Sequence, residues 1–219
     1  MYKKLSRADI ARLVAADIPD GCYVNLGIGI PTLIAQYLPD DREIILHTEN
    51  GIVGMGPGDS DAPLDLDLIN ASKEPVTIIP GSSITDHATS FAMMRGGHID
   101  LTVLGAFQVS ALGDLANWDT GRADAIPAVG GAMDLVVGAK KVYVTMEHVT
   151  REGEPKIVHN CNYPLTGKSV VDRIYTDLAV IDITDDGLLV SAMVQGLTFE
   201  NLQSLTAAPL QLNKEVVVL

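Results

Sequence analysis

Residues 43–51 read Glu43-Ile44-Ile45-Leu46-His47-Thr48-Glu49-Asn50-Gly51. Glu43 to Thr48 have the composition of a short buried strand, an apolar and branched run that ends in a polar break. Gly51 can take a positive φ, so the chain can turn sharply just past the carboxylate of Glu49. In open α/β sheets ligands bind outside the carboxyl ends of the strands, which puts Glu49 where chemistry is usually done. A glutamate is ionised at neutral pH, its reference pKa being about 4.3, and it needs no general base to act as a nucleophile. A strand-end acid can equally do no more than cap a turn, so the triplet Glu49-Asn50-Gly51 by itself leaves both readings open.

Upstream, Cys22 to Leu26 form a second apolar run, followed by Gly27-Ile28-Gly29-Ile30-Pro31-Thr32 and a helical stretch to about Tyr37. Pro31 suits a first helical turn, where its missing N–H costs nothing. Strand, glycine loop and helix bring backbone N–H groups close to an anion. One reading is a dinucleotide fingerprint with Glu49 as the ribose acid, although Thr32 stands in the third glycine position. The other is a tight loop shaping a pocket beside Glu49.

Further along, the sequence predicts strands at Val76 to Ile79, Leu101 to Leu104, Lys141 to Met146, Ala179 to Ile183 and Leu188 to Val190. Helices are expected after Ser6, which with Asp9 makes a capping-box variant, over Asp86 to Arg95, and from about Thr198. Asp185-Asp186-Gly187 reads as a turn, residues 56–67 as an exposed Gly/Pro/Asp-rich loop, and Val216 to Leu219 as an apolar tail after a polar connection. The alternation argues for an α/β fold in one domain over residues 1–219, with a single open, largely parallel or mixed sheet flanked by helices.

Gly130-Gly131 opens a helix that Gly138 closes, and paired N–H groups at such a junction can form an oxyanion hole or simply a close turn. Lys73, in Asn-Ala-Ser-Lys-Glu-Pro, reads alone as solvated surface. His47, His87, His98, His148 and His159 lack metal spacing and read as structural. Trp118 reads as a packing anchor, and Met93 and Met94 as core filling. Two cysteines, Cys22 and Cys161, are too few for a disulfide scaffold or a zinc site. The composition is 47% hydrophobic with mean hydropathy +0.23, which describes a folded chain without a bilayer-length apolar run. The expected compartment is the cytoplasm. A net charge of −13 disfavours nucleic acid as a partner and repels anionic metabolites at long range, so any phosphate or carboxylate ligand depends on local donors.

Six stretches in order carry a resemblance: Asn25-Leu-Gly-Ile-Gly-Ile-Pro-Thr, Thr48-Glu-Asn-Gly, Met94-Arg-Gly-Gly-His-Ile-Asp, Leu104-Gly-Ala-Phe-Gln-Val, Asp114-Leu-Ala-Asn-Trp and Gly130-Gly-Ala-Met-Asp-Leu-Val. Over about residues 5 to 210 the chain resembles the B (beta) subunit of 3-oxoacid CoA-transferases, the class with a glutamate nucleophile. The resemblance implies a CoA-transferase-like fold and Glu49 as the catalytic residue. It implies that the backbone at Gly130 and Gly131 binds an oxyanion, and that Asn25, Gly27, Gly29, Asn50, Gly51 and Lys73 lie at the CoA and substrate site. It further implies a separate A (alpha) subunit, an acyl-CoA and a 3-oxo acid as substrates, and no metal or redox cofactor. Gly105-Ala-Phe-Gln-Val, Asp119-Thr-Gly and Ile126-Pro-Ala-Val-Gly look most like the 3-oxoadipate branch. Ser83-Ile-Thr-Asp-His-Ala-Thr-Ser-Phe is instead partly similar to the acetoacetate-using branch, so another short 3-oxo acid stays open. From other classes, a dinucleotide-binding dehydrogenase domain predicts nicotinamide binding, a sugar-phosphate isomerase of related fold predicts activity without CoA, and a non-catalytic regulatory partner would tolerate loss of Glu49.

Overall fold

The structure, a computed structural model, describes residues 2–56, 65, 67–121 and 126–219. Most of the loop expected over residues 56–67 therefore lies outside the described residues. Ser6 caps α1 (Arg7–Asp17) through the expected capping box: its hydroxyl accepts from the Asp9 N–H while the Asp9 carboxylate accepts from the Ser6 N–H at 3.0 Å. Ile10, Ala11, Val14 and Ala15 bury the inner face of this helix.

The strands that follow assemble into a ten-stranded sheet. Its centre is a parallel block in the order β10 (Arg173–Thr176), β8 (Lys141–Met146), β5 (Leu101–Gly105), β1 (Tyr23–Leu26), β2 (Ile45–His47). Antiparallel partners extend both sides: β3 (Ile52–Gly56) and β4 (Thr77–Ile84) beyond β2, and β11 (Ala179–Thr184) and β12 (Gly187–Met193) beyond β10. The sheet is thus mixed. The segment expected to be an apolar tail is instead β13 (Leu210–Val218), paired parallel to β12. Two further differences have one cause. β2 is shorter than residues 43–48 and β4 longer than 76–79, because ladder pairing with β1 and β3 sets their ends and local composition does not. A small second sheet, β7 (Leu115–Ala116), β6 (Gln108–Ser110) and β9 (Ile157–Val158), lies apart from the main one.

Strand alternation distributes the block's side chains to two cores. Val103, Tyr143 and Tyr175 face the cluster under α1, whereas Leu104, Val142, Val144 and Ile174 face the other side. That second side is covered by α3 (His87–Arg95), capped by Asp86 through the Thr89 N–H, and by α4 (Ala132–Gly138). Burial on both faces explains why Lys141 to Met146 shows buried residues almost throughout where one-sided alternation would expose every second one.

The contact between α3 and α4 is a backbone-on-backbone approach. A Cβ at Gly138 would overlap the Met94 carbonyl oxygen and its carbon. No flexible side-chain end lies there to give way, so the glycine sets how closely the two helices lie. Gly138→Ala is expected to lower the unfolding free energy by about 2–4 kcal/mol, read as a lower urea midpoint at unchanged m-value.

Candidate active site

All strands of the parallel block point the same way, so their carboxyl ends share one edge of the sheet. A cleft of about 480 Å³ runs along that edge. Its walls are Leu26 to Ile30 after β1, Glu49 after β2, Leu104 to Phe107 at the end of β5, Thr145 to Glu147 at the end of β8, and Val129 to Ala132 at the start of α4. This is where an open parallel sheet presents its ligand site.

Glu49 is half-buried and sits in the turn just beyond β2, so strand alternation no longer relates its side chain to that of His47. The turn closes through Gly51, whose N–H donates to the Thr48 carbonyl at 3.0 Å. Gly51 adopts φ +116°, and a Cβ there would run into the Thr85 carbonyl, so glycine is required on both grounds. From the far side of the cleft the Gly131 N–H donates to Glu49 Oε2 at 3.0 Å. A Cβ on Gly131 would collide with that same oxygen and stand 3.2 Å from Phe91 Cζ. Gly130 has φ +50°, and a Cβ there would lie 3.6 Å from Glu49 Oε1. At Gly131 the missing side chain lets backbone come against the carboxylate, while at Gly130 the positive φ is what favours glycine.

Behind Glu49 lies a buried polar chain. The Asn25 Nδ2 amide, which can only donate, meets His47 Nδ1 at 3.0 Å and the His47 carbonyl at 3.2 Å. His47 Nδ1 therefore accepts, and the network assigns the ring proton to Nε2, which donates to Ser90 Oγ at 3.0 Å. The Ser90 hydroxyl in turn donates to the Thr48 carbonyl at 3.3 Å, one residue before Glu49. Burial pushes the His47 pKa down to about 4, so the imidazole is neutral at pH 7. Ser90 is fully buried and directs its proton at a backbone carbonyl, so this His–Ser pair holds the turn and does not form a nucleophile.

The structure brings together Asn25, Gly27, Gly29, Glu49, Gly130 and Gly131 along the cleft. Gly27 is tightly surrounded, a Cβ there lying 2.9 Å from Leu104 Cδ2 and 3.2 Å from the Val103 carbonyl oxygen. Asn25 has its amide donors taken by His47, which leaves its carbonyl oxygen for anything in the cleft. Asn50 points instead to the Ile69 carbonyl at 2.8 Å, and Gly51 serves the turn from behind. Lys73 is exposed, lies at φ +64° in the turn of residues 70–74, and lines no part of the cleft. The glycine loop gives little support to a dinucleotide fingerprint. α2 (Ile30–Leu33) is a single turn, and Thr32, in the third glycine position, donates its hydroxyl to the Gly29 carbonyl at 2.8 Å. Ser90, Thr145 and Lys156 escaped the sequence reading. They reach the cleft or its support from elements distant in sequence, and no local motif marks them.

The sequence model of the coenzyme A transferase family matches residues 7–204. The chain is 60% identical over 209 residues to the B subunit of the 3-oxoadipate CoA-transferase of Acinetobacter baylyi, covering 95% of this chain and 96% of that one. It is 45% identical over 214 residues to the B subunit of the probable succinyl-CoA:3-ketoacid coenzyme A transferase of Bacillus subtilis, covering 98% and 99%. Among solved structures it superposes on the apoenzyme of the acyl-CoA transferase YdiF of Escherichia coli O157:H7 with TM-score 0.77 at 19% identity, covering 98% of this chain and 43% of that one. The likeness to YdiF shows the shared fold, and this chain spans less than half of that protein's length.

Two outcomes are expected. Gly131→Ala should abolish turnover in the assembled enzyme, a loss of at least about 10²-fold in kcat because Glu49 must move, with the melting temperature retained. The folded pKa of His47 lies below its unfolded value of about 6.5, so the unfolded chain takes up a proton first as pH falls. The stabilisation from neutral His47 is complete above that unfolded value and is lost as pH falls toward 4. Denaturant titrations should show His47→Gln losing about 3 kcal/mol less than wild type between pH 7 and pH 4.

Proposed function

The chain belongs to the coenzyme A transferase family, and from that premise we propose that it is the B half of a two-subunit enzyme. In this reading the enzyme moves CoA from an acyl-CoA such as succinyl-CoA to a 3-oxo acid, with 3-oxoadipate favoured over other short 3-oxo acids. The observation that carries the reading is the carboxylate of Glu49 at a parallel strand end, held against the Gly131 N–H at 3.0 Å. The preference for 3-oxoadipate rests on the 60% identity to a subunit of that specificity. The 45% relative keeps succinyl-CoA:3-ketoacid transfer as the second reading. Both relatives carry names of B subunits, which supports an A subunit as partner.

The chemistry follows from the geometry. A Glu49 oxygen attacks the thioester carbonyl, the tetrahedral intermediate expels CoA thiolate, and a mixed anhydride between Glu49 and the donor acid remains. The thiolate then attacks the glutamyl carbonyl and displaces the donor as its carboxylate, leaving a glutamyl-CoA thioester. The acceptor 3-oxo acid runs the two steps in reverse. In the two steps at the glutamyl carbonyl, thiolate attack on the anhydride and acceptor attack on the glutamyl-CoA thioester, an oxygen on the Glu49 carbon gains negative charge, and the Gly131 N–H already faces that group. Both intermediates hydrolyse readily, so the site must exclude water. Glu49 is half-buried in the isolated chain, and the A subunit would close the cleft. One thioester replaces another, so the reaction as written calls for no metal or redox cofactor. No described helix is long and apolar enough to cross a membrane. The free thiols of Cys22 and Cys161 suit the reducing cytoplasm, where acyl-CoA is available.

The reading is tested by incubating the assembled A–B enzyme with acyl-CoA and no acceptor, trapping with borohydride or hydroxylamine, and mapping the modified peptide. The label is expected on Glu49. Glu49→Asp keeps the charge but withdraws the nucleophile by about one methylene, for an expected loss of roughly 10²-fold in kcat. A label elsewhere, or an Asp variant with wild-type turnover, removes Glu49 from the mechanism.

A further inference from the structure

Glu49 occupies one end of the cleft. Across three strand spacings, β2 to β1 to β5 to β8, the cleft continues to a second end lined by Thr145, Glu147, Lys156 and, from α1, Arg7. This far end has an unbalanced charge. The two acids that face Lys156 are Glu147 and Asp177. Both are held by other cations: Arg7 Nη2 lies 3.1 Å from Glu147 Oε1, and Lys4 Nζ lies 2.9 Å from Asp177 Oδ2. The remaining oxygen of Asp177 accepts from the His148 N–H at 2.7 Å. Lys156 makes no ion pair or side-chain hydrogen bond among the described residues, although it is partly buried in the cleft wall and its surroundings disfavour the charged form. A cation surplus to its neighbours is notable in a chain of net charge −13.

A second observation points to the same end. Thr145 lines the cleft at only 2% exposure, and its Oγ1 has no hydrogen-bond partner among the described residues. A buried hydroxyl left unpaired is destabilising, so an orphan hydroxyl that lines the same cleft as a surplus ammonium has the composition of an anion site. We propose that Lys156 and Thr145 form a carboxylate subsite that holds the distal carboxylate of a dicarboxylic 3-oxo acid while its other carboxylate reacts at Glu49. This assignment rests on the CoA-transferase reading above and names the substrate class within it. The spacing is compatible: three inter-strand steps put the β2 and β8 ends of the cleft about 14 Å apart, and a six-carbon diacid, roughly 6 Å between its carboxyl carbons at about 1.5 Å per bond, is short enough to lie along it.

The test uses the assembled A–B enzyme and two acceptors, 3-oxoadipate and 3-oxohexanoate, which differ only in a terminal carboxylate against a methyl group. In a ping-pong reaction kcat/KM for the acceptor reports the acceptor half-reaction alone, so the ratio of the two values isolates the distal group. In Lys156→Met the dicarboxylate-to-monocarboxylate ratio is expected to fall about 10- to 100-fold. In Thr145→Val it should fall about 3- to 10-fold. Melting temperature and complex assembly are followed in parallel, and Lys156→Gln provides the same measurement where the Met variant does not assemble. An unmoved ratio, whether activity is retained or lost equally on both acids, overturns the subsite, equal loss assigning Lys156 to the CoA moiety or to the fold. A wild-type complex that transfers CoA to neither acid instead sinks the functional reading, and this inference with it.

Discussion

The site depends on one hydrogen bond between parts of the chain that share no local structure: the Gly131 N–H to Glu49 Oε2. It exists because position 131 has no side chain. Everything around it keeps two backbones at that distance. Gly138 lets α4 settle onto the end of α3 until only a hydrogen atom fits between them. Phe91, on α3, packs beside Gly131 and closes the third side. The carboxylate is fixed from its own side by the turn through Gly51, which fits under the Thr85 carbonyl. Glycines at three separated positions thus serve one purpose, to hold the Glu49 carboxylate and the Gly131 main chain in close approach.

The buried chain Asn25–His47–Ser90–Thr48 serves the same end from behind. A charged imidazole two residues before Glu49 would place a positive charge in the core behind that turn. Desolvation keeps the ring neutral, and the Asn25 amide, able only to donate at that contact, fixes which nitrogen carries the proton. The second buried imidazole, His148, is treated alike. Its two nitrogens meet Thr176 and Thr206, and burial drives its pKa down to about 4.

The fold and the centre of the site were legible in the sequence because their signals are local. Glu49-Asn50-Gly51 follows an apolar run, Gly130-Gly131 opens a helix, and Ser6 and Asp9 spell a cap; each is readable within a few residues. What escaped depends on pairing between distant segments. Residues 210–218 read as a polar stretch and an apolar tail because an edge strand with one exposed face has weak alternation, and only β12 makes it a strand. β3 was hidden by its glycines, which look like turn residues and instead admit β4 closely. His47 could be read as structural, but not as the link between Asn25 and Ser90, since its partners stand 22 and 43 residues away. Lys73 shows the reverse: its role came from the resemblance alone, and the isolated chain holds it outside the cleft.

The distance along the chain between Gly131 and Glu49, 82 residues, has a consequence for how the protein comes into being. Closing a loop of that length must be compensated by many other long-range contacts before it can persist. Until α4 has docked, Glu49 is an ordinary solvated glutamate with no donor aimed at it. Glu49 therefore takes its surroundings from the completed tertiary structure and not from the Glu49-Asn50-Gly51 turn alone.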